Sequence, residues 1–261
     1  MKPIAILLSA FALCLFAPAI GCDGVQSGTF DSSGVAIHYQ FAGSGQPVIF
    51  IHGLYSSAVI NWQLPGTLKL VAESYQVFAL DARGHGRSDK PEEDDAYGLE
   101  MVEDVIRLMD HLEIEKAHIV GYSMGGMIAM KLITEHPERV LSGALGGMGW
   151  LRDGSGLQEF WEKIPTGKGG AVPNACLRSL GKLAVTEEAV RAVEVPMAVL
   201  VGDRDVCKKL YVEPLARIRE DWPVIEIEDA GHLNCIFKDQ FQQELKHWLD
   251  ENASRFPAEV E

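Results

Sequence analysis

Apolar positions along this chain fall into short unbroken runs, separated by stretches in which they recur with a helical period. Pro47 to Ile51 and Gln76 to Leu80 are runs of the first kind, and His118 to Val120, Val140 to Leu145, Pro196 to Val201 and Val224 to Ile227 read as further strands. Unbroken apolarity over so few residues suits strands covered on both faces. Gly28 to Phe30 and Val35 to Phe41 read as two further strands, joined by the turn sequence Asp31-Ser32-Ser33-Gly34. Helices are expected near Leu64 to Ser74, Leu99 to Leu112, Met127 to His136, Leu210 to Arg219 and Asp239 to Asn252. In the second of these, Met101, Val102, Val105, Ile106, Leu108, Met109 and Leu112 make one apolar face. Strands alternating with helices predict an α/β fold: a mostly parallel central sheet with helices on both faces. Trp150 to Val193 breaks the rhythm, lacking a clear strand and holding a glycine-rich stretch from Thr166 to Pro173. It is expected to be a short cap or lid over residues 150–193, dividing a core of 28–149 and 194–255.

The first twenty-one residues read as a signal peptide rather than as part of the fold. Ile4 to Phe16 is apolar except for Ser9 and follows Lys2, a run too short to span a bilayer comfortably. Export to a bacterial periplasm or cell envelope is the expectation. Two processing patterns overlap there. Ala17-Pro18-Ala19 fits small-residue cleavage. Ala19-Ile20-Gly21-Cys22 resembles a lipoprotein lipobox, with alanine where leucine is usual, and implies lipidation at Cys22 and a membrane tether. An uncleaved anchor is the third reading.

With 261 residues, 47% of them hydrophobic and 23% charged, the remainder suits one folded domain. The net charge of −14 and the lack of a basic stripe disfavour nucleic acid as a partner. Beyond Cys14 and Cys22, the cysteines are Cys176, Cys207 and Cys235, and their spacing gives no metal-site pattern.

Candidate chemistry collects just after the predicted strands, where α/β sheets carry their sites. His52-Gly53-Leu54 follows the first apolar run, and Asp81-Ala82-Arg83-Gly84-His85-Gly86-Arg87-Ser88 follows the second. Gly121-Tyr122-Ser123-Met124-Gly125 follows the third, Gly202-Asp203-Arg204-Asp205 the run ending at Val201, and Gly231-His232 the last. A serine between glycines at a strand-to-helix turn has its hydroxyl pushed clear of the backbone, beside unpaired helix amides. On its own that pentapeptide is weak. Five motifs in order are not.

Together they resemble the α/β-hydrolase-fold serine hydrolases over about Phe30 to Leu249, with a gap in likeness over the cap. The resemblance implies Ser123 as nucleophile, His232 as base and Asp205 as the acid that orients it, with Asp203 the competing acid. It implies an oxyanion hole from the amides of Leu54 and Met124. His52 is expected to order its loop, and the Asp81 to Asp89 stretch to border the site without contributing chemistry. Trp150, Phe160 and Trp161 are candidates to line a substrate pocket. The implied activity is cleavage of a carboxylic ester or related acyl bond in a small-molecule substrate, through an acyl-enzyme and with no cofactor or metal. Lactone, thioester, amide or carbon–carbon bond hydrolysis are alternatives on the same triad, and a non-catalytic tethered binding protein is the alternative of another class. Because the acid and histidine loops must meet, a Cys207–Cys235 disulfide joining them is also expected.

Overall fold

The computed structural model describes residues 24–164, 167, 170–253 and 255. The predicted signal peptide and Cys22 lie outside the described residues.

Eight strands form one sheet in the order β1-β2-β4-β3-β5-β6-β7-β8. They are β1 (Gln26–Ser32), β2 (Val35–Ala42), β3 (Pro47–Ile51), β4 (Gln76–Leu80), β5 (Ala117–Tyr122), β6 (Val140–Gly146), β7 (Met197–Gly202) and β8 (Val224–Ile227). The pairs β1·β2 and β2·β4 are antiparallel, and the other five are parallel. The first hairpin is tighter than the sequence predicts. Ser32 pairs with Val35, so only Ser33 and Gly34 turn the chain, both with positive φ as a two-residue hairpin turn requires.

Among the described residues eight α-helical segments lie around the sheet: α1 (Thr67–Ala72), α2 (Leu99–His111), α3 (Met124–Glu135), α4 (Gly156–Glu162), α5 (Asn174–Ser179), α6 (Glu187–Ala192), α7 (Glu213–Ala216) and α8 (Asp239–Ala253). Strand side chains alternate between two cores, as the period of two dictates. In β3, Ile49 and Ile51 face the core holding α2 and α3, while Val48 and Phe50 face the core holding α1 and α8. Both faces of β3 are therefore dry, which is why Pro47–Ile51 is apolar at every position. The segment between β6 and β7 carries α4, α5 and α6, and joins the core through Trp150, whose indole N–H donates to the Val185 carbonyl (2.7 Å).

Parallel strands end along one edge of the sheet. β3, β5, β7 and β8 thus deliver the loops after Ile51, Tyr122, Gly202 and Ile227 to a common place.

Candidate active site

Ser123 stands at the junction of β5 and α3 with φ 54° and ψ −116°, a conformation that costs a side-chain-bearing residue roughly 1–3 kcal/mol. Two glycines permit it by close approach. A β-carbon on Gly121 would lie 2.0 Å from the Gly125 carbonyl oxygen, and one on Gly125 would lie 2.1 Å from the Ile51 oxygen. The bend is held in turn by the Ser123 amide donating to the Gly146 carbonyl at 2.8 Å.

The hydroxyl projected by this bend meets His232. Nε2 of the ring is 2.8 Å from Ser123 Oγ, and Nδ1 is 2.9 Å from Asp205 Oδ2. Asp205 is only 5% exposed, and its other oxygen accepts the Cys207 amide at 2.8 Å. With both oxygens occupied, the carboxylate is fixed in orientation. That geometry leaves Nδ1 carrying the proton and Nε2 free to accept one. Asp203, the competing acid, is turned elsewhere and accepts the Ala230 amide at 3.0 Å. Arg204 pairs with Asp229 rather than with Asp203.

The loop facing Ser123 is built from His52, Gly53 and Leu54. A β-carbon on Gly53 would come within 3.2 Å of Ser123 Cβ, so this loop lies directly against the nucleophile's position. Its own polar groups are tied back. The Gly53 amide donates to Asn61 Oδ1 at 2.8 Å, and the Gly53 carbonyl lies 2.7 Å from His52 Nδ1. His52 Nε2 accepts the Ala82 amide at 3.0 Å, which forces the ring proton onto Nδ1. Burial lowers the His52 pKa and keeps the ring neutral. Asp81 braces the same loop by accepting the amides of Ala58 (2.8 Å) and Arg87 (2.9 Å) and pairing with His38. Burial alone would raise its pKa, but these hydrogen bonds hold it at about 2. Leu54 in the loop after β3 and Met124 at the start of α3 thus border the cavity that also holds the Ser123 hydroxyl, and the Met124 amide has no helical carbonyl one turn behind it.

The profile of the alpha/beta hydrolase fold family matches residues 46–186, more than half of the 261. The chain belongs to that family. One curated relative of this α/β-hydrolase is the dihydrolipoyllysine-residue acetyltransferase component of an acetoin cleaving system from Cupriavidus necator. It is 41% identical over 116 residues, covering 44% of this chain and 30% of the relative. Another is the 2-hydroxy-6-oxo-6-phenylhexa-2,4-dienoate hydrolase of Comamonas testosteroni, 39% identical over 123 residues, 46% of this chain and 43% of the relative. The matches span less than half the length of either relative. Among solved structures, a mutant meta-cleavage product hydrolase superposes with a TM-score of 0.67 at 27% identity. That superposition covers 86% of this chain and 98% of the other.

Two cavities of this α/β-hydrolase meet at Ser123 and His232. One, of about 320 Å³, is walled by Met124, Met127, Met148, Trp161, Leu180 and Tyr211. The other, of about 310 Å³, opens past Tyr55, Ile60, Leu233 and Phe237, with Leu233 87% exposed. Leu54 borders both, and among the described residues no lysine or arginine lines either. A polar hollow of about 400 Å³ beside Lys90, Glu92 and Arg178 shares no lining residue with them. Neither Ser123 nor His232 borders it.

Of the three aromatic residues expected in the pocket, only Trp161 lines it, with its indole donating to the Tyr211 hydroxyl at 3.1 Å. Trp150 is buried in the core, where its N–H is taken by Val185, and Phe160 is 52% exposed on the outer side of α4. The expected Cys207–Cys235 bridge is absent, since all three described cysteines are free thiols. Cys207 and Cys235 both lie close to Asp205. Burial first, then the nearby Asp205, pushes both thiols up to about 12 and keeps them protonated. The histidine loop is held instead by Tyr122, whose hydroxyl donates to the His232 carbonyl at 2.5 Å.

Proposed function

We propose that this protein is an exported serine hydrolase acting on neutral, apolar carboxylic esters through an acyl-enzyme. The observation that carries it is the hydrogen-bonded chain Ser123–His232–Asp205 opening onto two apolar cavities without a cation. Ser123 Oγ attacks the ester carbonyl carbon while His232 Nε2 takes its proton. The oxygen of the tetrahedral intermediate is received by the Leu54 and Met124 amides, each donor worth roughly 2.7–4 kcal/mol in such sites. The imidazolium, steadied by Asp205, returns its proton to the departing alcohol. Water then enters, loses a proton to His232 and cleaves the acyl-enzyme.

The cavity walls favour a substrate without charge. A dienoate, the substrate class in the name of the Comamonas relative, carries a carboxylate. Desolvating one in these cavities without a cationic partner would be costly. An uncharged ester incurs no such penalty. Fluorophosphonate labelling and hydrolysis of nitrophenyl esters test this reading, and both should vanish in Ser123→Ala. Wild-type protein that neither labels nor turns over any ester would overturn it, and faster turnover of a dienoate would move the substrate to that class.

Export is supported by the apolar run from Ile4 to Phe16, and a lipid tether by the sequence ending at Cys22. In a bacterial host the full chain should fractionate with membranes and gain lipid mass, both lost in Cys22→Ala. Soluble cytosolic protein that still begins at Met1 would rule out both.

A further inference from the structure

The reaction uses Asp205 and His232 but assigns nothing to Cys207. Its thiol shares the small space beside them. One donor atom from each of Asp205, Cys207 and His232 lies within 4.8 Å of the other two.

We propose that Asp205, Cys207 and His232 form an inhibitory site for a soft divalent cation of the Zn²⁺ or Cd²⁺ class. Ligands at 2.0–2.3 Å around a tetrahedral ion stand roughly 3.5 Å apart, so any pair of the three groups needs to close by no more than roughly 1.3 Å. Cys207 and His232 are only partly buried and both line the 320 Å³ cavity, which supplies an entry path and room for a water as fourth ligand. Sulfur and imidazole select Zn²⁺ and Cd²⁺ over Mg²⁺ and Ca²⁺, which prefer oxygen.

The inhibition rests on the proposed role of His232 as base, whereas the binding does not. In the working tautomer Nδ1 carries the proton and Nε2 accepts one from Ser123. A cation on Nδ1 displaces that proton, and the neutral ring then carries it on Nε2, where no lone pair is left for the serine. The Cys207 thiol gives up its proton to solvent as the metal–sulfur bond forms. No electrons are transferred, and chelation reverses every step. Cys207 therefore makes the enzyme responsive to soft metals through a residue that the reaction itself leaves idle.

Cadmium reports both halves, because a Cd²⁺–thiolate bond has its own ultraviolet absorption. Wild-type protein titrated with Cd²⁺ should develop that band to one equivalent and lose esterase activity with the same midpoint. EDTA should restore activity, and Mg²⁺ should do nothing. Ser123→Ala should keep the band, so the site is tested even if the nucleophile has been wrongly assigned. Cys207→Ala should lose the band. Each protein being scaled to its own metal-free rate, that variant should need about ten-fold more Cd²⁺ or greater for half-inhibition, since outer-shell losses alone cost about that much. Cys207→Ser, which keeps the shape and exchanges sulfur for oxygen, should behave like the alanine variant. Absence of the band in the wild type at one equivalent overturns the site. An unchanged midpoint in Cys207→Ala overturns the role of the thiol.

Discussion

The Asp205 carboxylate has one oxygen on His232 and the other on the Cys207 amide. An amide in its place has one acceptor and one donor, so one of those two bonds must be lost or the ring must change tautomer. Asp205→Asn should therefore fold and bind ester with a near-normal KM while kcat falls by roughly four orders of magnitude, the cost of the same change in a well-studied triad. Steady-state kinetics on the purified variant decide it, and a loss under ten-fold would mean that another acid orients the ring. That Asp205 rather than Asp203 would meet His232 was legible from the resemblance, which places the acid three residues after Gly202. The duties of Asn61 and of the Tyr122 hydroxyl were not legible. Each depends on a loop brought close by the fold, 8 and 110 residues away in the chain.

At the level of elements, the segment between β6 and β7 roofs one cavity and leaves the other open. It contributes Met148, Leu180 and, on α4, Trp161, which is held by Tyr211 from the stretch preceding α7. Removing that indole lengthens the roofed cavity without touching the triad. Trp161→Ala should shift ester preference toward longer acyl chains, raising the long-to-short ratio of kcat/KM by roughly ten-fold, the worth of a methylene or two. A nitrophenyl ester series measures this, and an unchanged ratio would place the acyl chain in the open cavity. The sequence pattern marks aromatic residues in this segment but not their direction. Trp150 and Phe160 look equivalent to Trp161 until packing turns one into the core and the other to solvent. The cysteines teach the same lesson. The loops that carry them do meet, where His232 bonds Asp205, yet both sulfurs stay free thiols.

For the whole molecule, buried imidazoles set the acid limit. Burial lowers His118 to about 4 and His85 to about 3, below the ordinary value of 6.5. Their folded pKa values lie under the unfolded ones, so as pH falls the unfolded chain takes up protons first. Stability is complete above about pH 6.5 and drains away toward pH 4 and below, by up to about 1.4 kcal/mol per pH unit for each ring. His118→Gln should flatten the dependence between pH 6.5 and 4 in urea unfolding curves, whatever it does to stability at neutral pH. An identical slope would show that His118 is not among the groups responsible. The sheet itself was readable almost strand by strand, because a layer dry on both faces leaves no choice of residue type. Which polar side chains survive inside it was not readable, since that depends on finding partners such as Ser142 and Gln46, which bond His118. His52 shows what such partnership achieves. Its ring joins the end of β3 to the start of the loop after β4, accepting on one side and donating on the other. Neither asparagine nor glutamine offers both ends at that span. The enzyme thus holds two imidazoles of opposite temperament at one sheet edge. One has a proton frozen in place as scaffolding, and that stillness is what the proposed work of the other, passing a proton back and forth at every turnover, would rest on.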